Sequence, residues 1–363
     1  MNKINAWRTT FGEKEIHAIC TAINSKKISQ GSLTAAFEQQ IAERLNVRFA
    51  VAATSGSAAL LMALLAHGVK TGDEVIAPNR TFIATAHAIL MTGAQVRLAD
   101  VEAELPVLDA RQIFTQLSRR TKVIMPVHLN GVACDMNAIR QVADEYDLLV
   151  IEDACQALFS QNAQGFLGAQ SNAGCFSFGV TKLISTGQGG MAVTNDERVY
   201  QRLLELRNHG NKTDRFDTLG FNFKFTDMLA AIGLAQAAKA EQRIKRLNQI
   251  HHAYSKTVAG LPCFEMIAAQ AQTKWTPLYA EVLCENRDQA QSFLLERGIA
   301  TNKLHPSLHH SPHLATRDHF PNSQKYDERG LQLPSGPDQT PEDIKRVTDA
   351  LVAYANSHQS VSI

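Results

Sequence analysis

The chain has 363 residues, 45% of them apolar and 20% charged, which reads as an ordinary globular protein too long for one hydrophobic core. Its formal net charge of +1, with no basic block, argues against nucleic acid or an anionic membrane as a partner. No stretch approaches the roughly 18 apolar residues of a membrane span, and the opening MNKINAWRTTFGEKEI lacks the apolar core of a secretion signal. The six cysteines, at positions 20, 134, 155, 175, 263 and 284, form no CxxC pair. They fit free thiols in a reducing cytoplasm better than disulfides.

FGEKEIHAICTAINS and LTAAFEQQIAERLN carry the apolar spacing of amphipathic helices. Short apolar runs then alternate with helical ones. RFAVAAT, DEVIAP, AQVRLADV, TKVIMPVHL, DLLVIED, GCFSF and GGMAVTND read as strands. SAALLMALLAHG, TFIATAHAILMTG, a segment from about Asp109, and MNAIRQVADEY read as the helices between them. Strands that are apolar without alternation, separated by helices, predict a mostly parallel sheet covered on both faces. TDMLAAIGLAQAAKAEQRIKRLNQIHHAYSKTVAG reads as one long helix leading out of this layer. Beyond it, KWTPLYAEVL, ENRDQAQSFLLERG, IATNKL and a closing helix from Pro341 predict a smaller α+β domain. The expected division is residues 1–245 and 246–363.

In open α/β sheets ligands sit at the carboxyl ends of the strands, and three stretches with chemistry fall there. ATSGSAAL places Ser55, Gly56 and Ser57 where a strand gives way to a helix, so free N–H groups and hydroxyls meet a helix N-terminus. That suits a phosphate; simple capping is the alternative. VIEDACQA ends an apolar strand on Glu152 and Asp153, with Gln156 just beyond. Such a carboxylate can pair with a buried cation, cap a helix, or bind a metal. GCFSFGVTKLISTGQGG puts Lys182 after Ser177 and before glycines that allow close backbone approach. It is neither a dinucleotide fingerprint nor a Walker loop, because the glycines precede a strand and no GK[ST] follows. A phosphate cradle, a carboxylate and a lysine together meet the needs of pyridoxal 5′-phosphate: an amine for covalent attachment, an acid for the pyridine nitrogen and an anion site. Phe82, at a strand-to-helix turn, can supply an aromatic face or simply pack in the core.

In chain order, ATSGSAAL, GDEVIAPNRTFIATAHAI, PVHLNGVACDM, VIEDACQA, GCFSF…TK…TGQGGMAVTND, LRNHG and GFNFKFTDMLAAIGLAQ resemble the DegT-type sugar-nucleotide aminotransferases, from about Phe11 to the last helix. The resemblance implies the fold of the type I pyridoxal phosphate enzymes. It implies that Lys182 carries the cofactor, Asp153 pairs with its pyridine nitrogen, and Gln156 lies near its phenolic oxygen. By the same resemblance Gly56, Ser57 and Ser177 hold the phosphate, Phe82 stacks on the ring, and Asn222 reaches the phosphate of a partner subunit, which makes a homodimer the catalytic unit. The implied reaction moves an amino group, from L-glutamate, onto a keto sugar carried on a nucleotide diphosphate, in amino-sugar biosynthesis for surface polysaccharide or a natural product. Rival readings are a sugar dehydratase of the same fold, a branch that carries histidine at the lysine position, and a cofactor-binding regulator without turnover. Departures from the family pattern are Gly179-Val180, Gln188, Phe223-Lys224 and ALFSQNAQG; they touch the sugar pocket and leave the cofactor set intact. His209, His305 and His309 are candidate substrate neighbours. With His310 and His313 they lack the partners and spacing of a metal site, so no metal is expected.

Overall fold

The structure, a computed structural model, describes residues 3–7, 9–26, 28–212, 214–267 and 274–359; the extreme ends of the two expected domains lie outside these. Helices α1 (Glu13–Asn24) and α2 (Ser32–Leu45) precede β1 (Phe49–Ala53) and α3 (Gly56–Ala66). Strand–helix pairs follow: β2 (Glu74–Pro78) with α4 (Ala84–Met91), β3 (Gln95–Ala99) with α5 (Ala110–Gln116), and β4 (Thr121–Ile124) with α6 (Met136–Glu145). After β5 (Leu149–Asp153) a small hairpin, β6 (Gln161–Asn162) and β7 (Gly165–Phe166), leads to β8 (Ala173–Ser177) and β9 (Gly190–Thr194). Then come α7 (Glu197–Arg207), a second hairpin of β10 (Asn211–Lys212) and β11 (Arg215–Phe216), α8 (Asp227–Ala237) and α9 (Ala240–Val258).

Seven strands form the central sheet in the order β1-β9-β8-β5-β4-β2-β3. Every neighbouring pair is parallel except the two that involve β9. The chain leaves β8 and returns beside it as β9 through the Lys182 loop, a connection too short for a parallel crossover. Strands β2 and β9 are buried along their whole length, as a sheet covered on both faces requires. The apolar, non-alternating runs in the sequence were the trace of that double burial.

The long helix expected from Thr226 to Gly260 is two helices, α8 and α9, with the break at Ala238 and Lys239. Tertiary bonds set the break. Lys239 Nζ is held by both carboxylate oxygens of Glu15 in α1, at 2.6 and 2.8 Å, while α8 packs against α1 and α2. All residues across the break are good helix formers, so local periodicity carries no sign of it.

The second layer of structure is β12 (Phe264–Met266), β13 (Ala280–Cys284), α10 (Arg287–Glu296), β14 (Asn302–Lys303), α11 (Pro321–Arg329), β15 (Gly330–Leu333) and α12 (Pro341–Gln359). Its strands form a four-stranded antiparallel sheet, β12-β13-β15-β14. Helix α9 belongs to both cores. Ala240 and Leu247 pack with the large sheet, and Ile250, Tyr254 and Val258 with the small one. Ile4, near the N-terminus, also joins the small core by pairing with Ile299. Among the described residues no helix is long and apolar enough to cross a membrane.

Candidate active site

At the carboxyl ends of β1, β2, β4, β5 and β8 the chain encloses a cavity of about 170 Å³. Ser55, Gly56, Ser57, Phe82, Asp153, Gln156, Ser177 and Lys182 all line it. These eight come from four separate stretches of sequence, brought together because each lies at or just past a strand end.

The anion end is built by close approach. Ser55 is the N-cap of α3, and its Oγ accepts the Ala58 N–H at 3.1 Å, so its lone pairs serve the helix first. The N–H groups of Gly56 and Ser57 open the helix, where the macrodipole favours an anion. A Cβ on Gly56 would lie 2.9 Å from Ser177 Cβ and 3.0 Å from Cys155 Sγ. A Cβ on Gly190 would lie 2.2 Å from the Ser55 carbonyl oxygen. The glycine run after Lys182 is therefore needed where β9 passes under the start of α3. Ser177 Oγ accepts the Gly179 N–H at 3.3 Å, which leaves its own O–H to donate into the cavity.

Strand alternation separates the two acids that sequence left equivalent. Glu152 is fully buried and spent on structure. It accepts from Gly168 N–H at 2.7 Å, Gln170 N–H at 2.8 Å and Ser171 Oγ at 2.8 Å. His128 Nδ1 accepts the Cys134 N–H at 3.2 Å, so the ring proton sits on Nε2 and is donated to Glu152 at 2.9 Å. Burial works to raise the Glu152 carboxyl, but these donors hold it below the ordinary carboxylate range. Asp153 faces the cavity. Its Oδ2 accepts from Thr85 Oγ1 at 2.8 Å and its Oδ1 from the Cys155 N–H at 3.1 Å. Thr85 is paired in turn with Thr81 at 2.9 Å. Burial, with the Asp153 charge beside it, pushes the Cys155 thiol well up, so that thiol stays protonated at the cavity wall.

Gln156 is oriented by a residue that the sequence reading passed over. The Asn130 N–H donates to Gln156 Oε1 at 3.0 Å. A backbone N–H can only donate, so the amide oxygen is fixed there and the Nε2 donor is left for the cavity. Lys182 is half-buried, and its amine makes no hydrogen bond or ion pair among the described residues. Phe82 is 48% exposed, with the His305 ring edge-on to it at 5.1 Å.

The remaining expected residues are placed differently. His305 lines a small adjoining cavity shared with Gln156, and burial with the Arg80 and Lys182 charges nearby lowers its pKa. His309 does not line either cavity. Its backbone N–H and ring Nδ1 meet Asn79 Oδ1, both at 3.1 Å, and the ring lies against Phe320. His209 is exposed, in a left-handed turn with φ 58° before Gly210. Asn222 is exposed and outside this chain's cavity. It sits on an extended segment along the end of β1, where Thr54 N–H donates to the Phe223 carbonyl at 3.1 Å and the Phe221 and Phe223 rings stack at 4.7 Å. Among the described residues no group of three or more potential ligands could hold a metal. Thr85 was legible in principle: it is a polar residue one turn beyond Phe82 on a mainly apolar helix.

The family model for DegT/DnrJ/EryC1/StrS aminotransferases matches residues 9–352. The chain belongs to that family. The DegT family chain is 32% identical over 357 residues to GDP-perosamine synthase of Escherichia coli O157:H7, covering 97% of this chain and 98% of its relative. It is 35% identical to GDP-perosamine synthase of Caulobacter vibrioides over 335 residues, 89% of this chain and 90% of that one. Among solved structures, S. venezuelae DesV, in complex with a ketimine intermediate, superposes with a TM-score of 0.91 at 31% identity, covering 96% of this chain and 99% of that one. DesI in the presence of its TDP-sugar product gives a TM-score of 0.92 at 28% identity, over 100% and 95%. Membership makes this DegT-family chain a pyridoxal 5′-phosphate-dependent aminotransferase, and the cavity suits that cofactor. It offers a glycine-floored anion site, an acid held in place by two donors, and an unpaired lysine amine within one enclosure.

Proposed function

We propose that the protein transfers an amino group from L-glutamate to a keto sugar carried on a nucleotide diphosphate, as a homodimer in the cytoplasm, in amino-sugar biosynthesis. The observation that carries this reading is the joint placement of Lys182, Asp153 and Gln156 on one cavity with the α3 N-terminus. The names of the relatives, GDP-perosamine synthase and DesI with its TDP-sugar product, support a nucleotide sugar as the acceptor.

Bound in this cavity, pyridoxal phosphate supplies an aldehyde that exchanges amino groups and a ring that accepts the electron pair left when a proton departs. The Gly56 and Ser57 N–H groups and the Ser177 hydroxyl hold the phosphate. Asp153, held in place by Thr85 and the Cys155 N–H, would pair with the pyridine nitrogen. Gln156 Nε2 donates to the phenolic oxygen. Phe82 covers one face and excludes water. Lys182 Nζ would anchor the cofactor, and its amine, on the same cavity, would move the proton at the amino donor's Cα. Asn222 lies outside its own cavity, as a residue that serves a neighbouring subunit must.

The test is borohydride reduction of the yellow holoenzyme followed by peptide mapping, with reverse turnover of nucleotide-linked amino sugars by 2-oxoglutarate. Label on Lys182 and conversion of at least one nucleotide amino sugar are expected. Label on another lysine, or turnover of free amino sugars in preference to nucleotide-linked ones, would overturn the reading.

A further inference from the structure

The segment 304–320 links β14 to α11 and contains only two single turns, Leu308–His310 and Pro312–Leu314. Bonds to its neighbours must therefore place it. Its far half is fixed by apolar packing, with Leu308, Leu314 and Phe320 against Ala86 of α4 and Leu98 of β3. Its near half docks on the end of β2. The Leu308 N–H donates to the Asn79 carbonyl at 2.8 Å, and Arg80 Nη1 donates to the His305 carbonyl at 3.0 Å.

Arg80 is 3% exposed. Its Nη1 also meets Asp327 Oδ1 of α11 at 3.2 Å, and its guanidinium lies 5.2 Å from the centre of the Tyr326 ring. The same Asp327 oxygen accepts the Ser307 N–H at 2.8 Å, and the other faces His310 Nε2 at 3.3 Å. One ion pair thus joins the large sheet, α11 and the connecting segment. A buried ion pair stabilises a fold little beyond apolar packing of the same volume; what its directional bonds supply is a fixed position. The residue so fixed stands at the cofactor cavity. His305 is exposed, with its ring edge-on to Phe82, and it shares a small cavity of about 20 Å³ with Arg80 and Gln156. The Lys182 charge reaches it. A sugar carried on a nucleotide is too large for an enclosure of about 170 Å³, so it must stand at this mouth.

We propose that Arg80 is a positioning residue for the sugar acceptor. Paired with Asp327, it holds the stretch from His305 to Ser307 against the end of β2, so that the His305 imidazole stands beside Phe82 where the sugar meets the cofactor cavity. The role assigned to His305 rests on the function proposed above; the grip of Arg80 on His305 does not. Arg80 itself touches neither sugar nor cofactor and acts only through the segment it holds.

Holoenzyme variants Arg80→Gln, Arg80→Lys, Asp327→Asn and His305→Ala, and the pair Arg80→Gln/His305→Ala, are compared in three measurements. These are KM for a nucleotide-linked amino sugar in reverse turnover, the single-turnover loss of yellow absorbance with glutamate, and NMR of 13C-labelled histidine rings, with the His305 signal identified by its loss in His305→Ala. Arg80→Gln and His305→Ala should each raise KM by about tenfold, the size of one hydrogen bond lost, and Asp327→Asn should follow. Arg80→Lys, which keeps the charge but not the fork, should fall between wild type and Arg80→Gln. In Arg80→Gln the glutamate step should change far less than KM. The paired variant should be no worse than His305→Ala alone, because both lesions remove one interaction. The His305 resonance should shift in Arg80→Lys. If Arg80→Gln does not fold, Arg80→Lys and Asp327→Asn take its place, alone and paired with His305→Ala. Unmoved KM in folded variants, additive losses in the pair, or an equal loss in the glutamate step would make Arg80 a structural residue only and overturn the proposal. Turnover of nucleotide sugars with KM unmoved in His305→Ala would overturn it while leaving the proposed function standing. In an enzyme inactive on every nucleotide sugar the proposed function falls, and the resonance decides whether Arg80 holds His305: a shift in Arg80→Lys sustains that grip, and an unmoved signal removes it.

Discussion

Replacing Asn130 by glycine tests how the small domain positions Gln156. Asn130 is 1% exposed and adopts a left-handed conformation, φ 52° and ψ 31°. Its Oδ1 accepts two N–H groups, from Leu278 and Tyr279, both at 2.9 Å. Its Nδ2 donates to the Tyr279 carbonyl at 2.9 Å and to Glu281 Oε2 at 3.3 Å. Its carbonyl accepts from Trp275 Nε1 at 2.7 Å. One side chain therefore ties the approach to β13 to the residue whose N–H orients Gln156. Glycine keeps the left-handed backbone without strain but leaves buried groups such as the Leu278 N–H unpaired. At about 1–3 kcal/mol for each buried group left unsatisfied, two such groups bring the loss to roughly 2–6 kcal/mol. Alanine adds about 1–2 kcal/mol for a Cβ in the left-handed region. At roughly 2 °C per kcal/mol for a large chain, melting of the glycine holoenzyme should fall by about 4–12 °C, and of the alanine one further. The second readout is spectral. A donor to the cofactor's phenolic oxygen competes with the imine proton for the same lone pairs and holds its pKa down. Loosening Gln156 should therefore raise the pKa of the yellow chromophore in Asn130→Gly, in the same direction as Gln156→Leu. Melting within about 1 °C of wild type together with an unmoved spectral pKa would refute the argument.

Asp153→Asn should fold and bind cofactor yet transaminate on the order of a hundredfold or more slowly, because an electrostatic loss of this type is worth about 3–4 kcal/mol; near wild-type single-turnover rates would reduce Asp153 to a structural residue. His251, packed against Trp275, is pushed down to about 4 by burial, whereas an unfolded histidine titrates near 6.5. Its contribution is present above pH ~6.5 and is lost as pH falls from there toward 4, on the order of 3 kcal/mol in all. His251→Leu should flatten that part of the acid melting curve, and an unchanged slope would show that the ring is not buried neutral. In a mixed dimer of Lys182→Ala and Asn222→Asp subunits, one site receives an intact Lys182 and an intact Asn222 from different chains. Substantial activity should return on subunit exchange; mass-confirmed exchange without recovery would exclude a shared site.

The sequence by itself determined the layered α/β architecture. A strand buried on both faces is mainly apolar without alternation, as the VIAP of β2 and the MAV of β9 are, and that signature survives without coordinates. It also determined which side chains line the cavity, because ligands gather at strand ends and Gly56, Asp153 and Lys182 each lie at or just past one. Tertiary structure alone decided which of two adjacent acids faces the cavity. Glu152 and Asp153 are equivalent as text, but successive residues of a strand face opposite ways, and only the placement of His128, Gly168 and Gln170 shows that Glu152 is consumed. It decided that β9 runs antiparallel and that the long helix breaks at Lys239, since the partner that bends it, Glu15, lies more than 200 residues away in sequence. It also decided the orientation of Gln156. That depends on Asn130, whose bonds to Leu278 and Tyr279 exist only once the small sheet has docked. Contacts of this kind join residues with no local relation, so no periodicity or spacing along the chain could carry them.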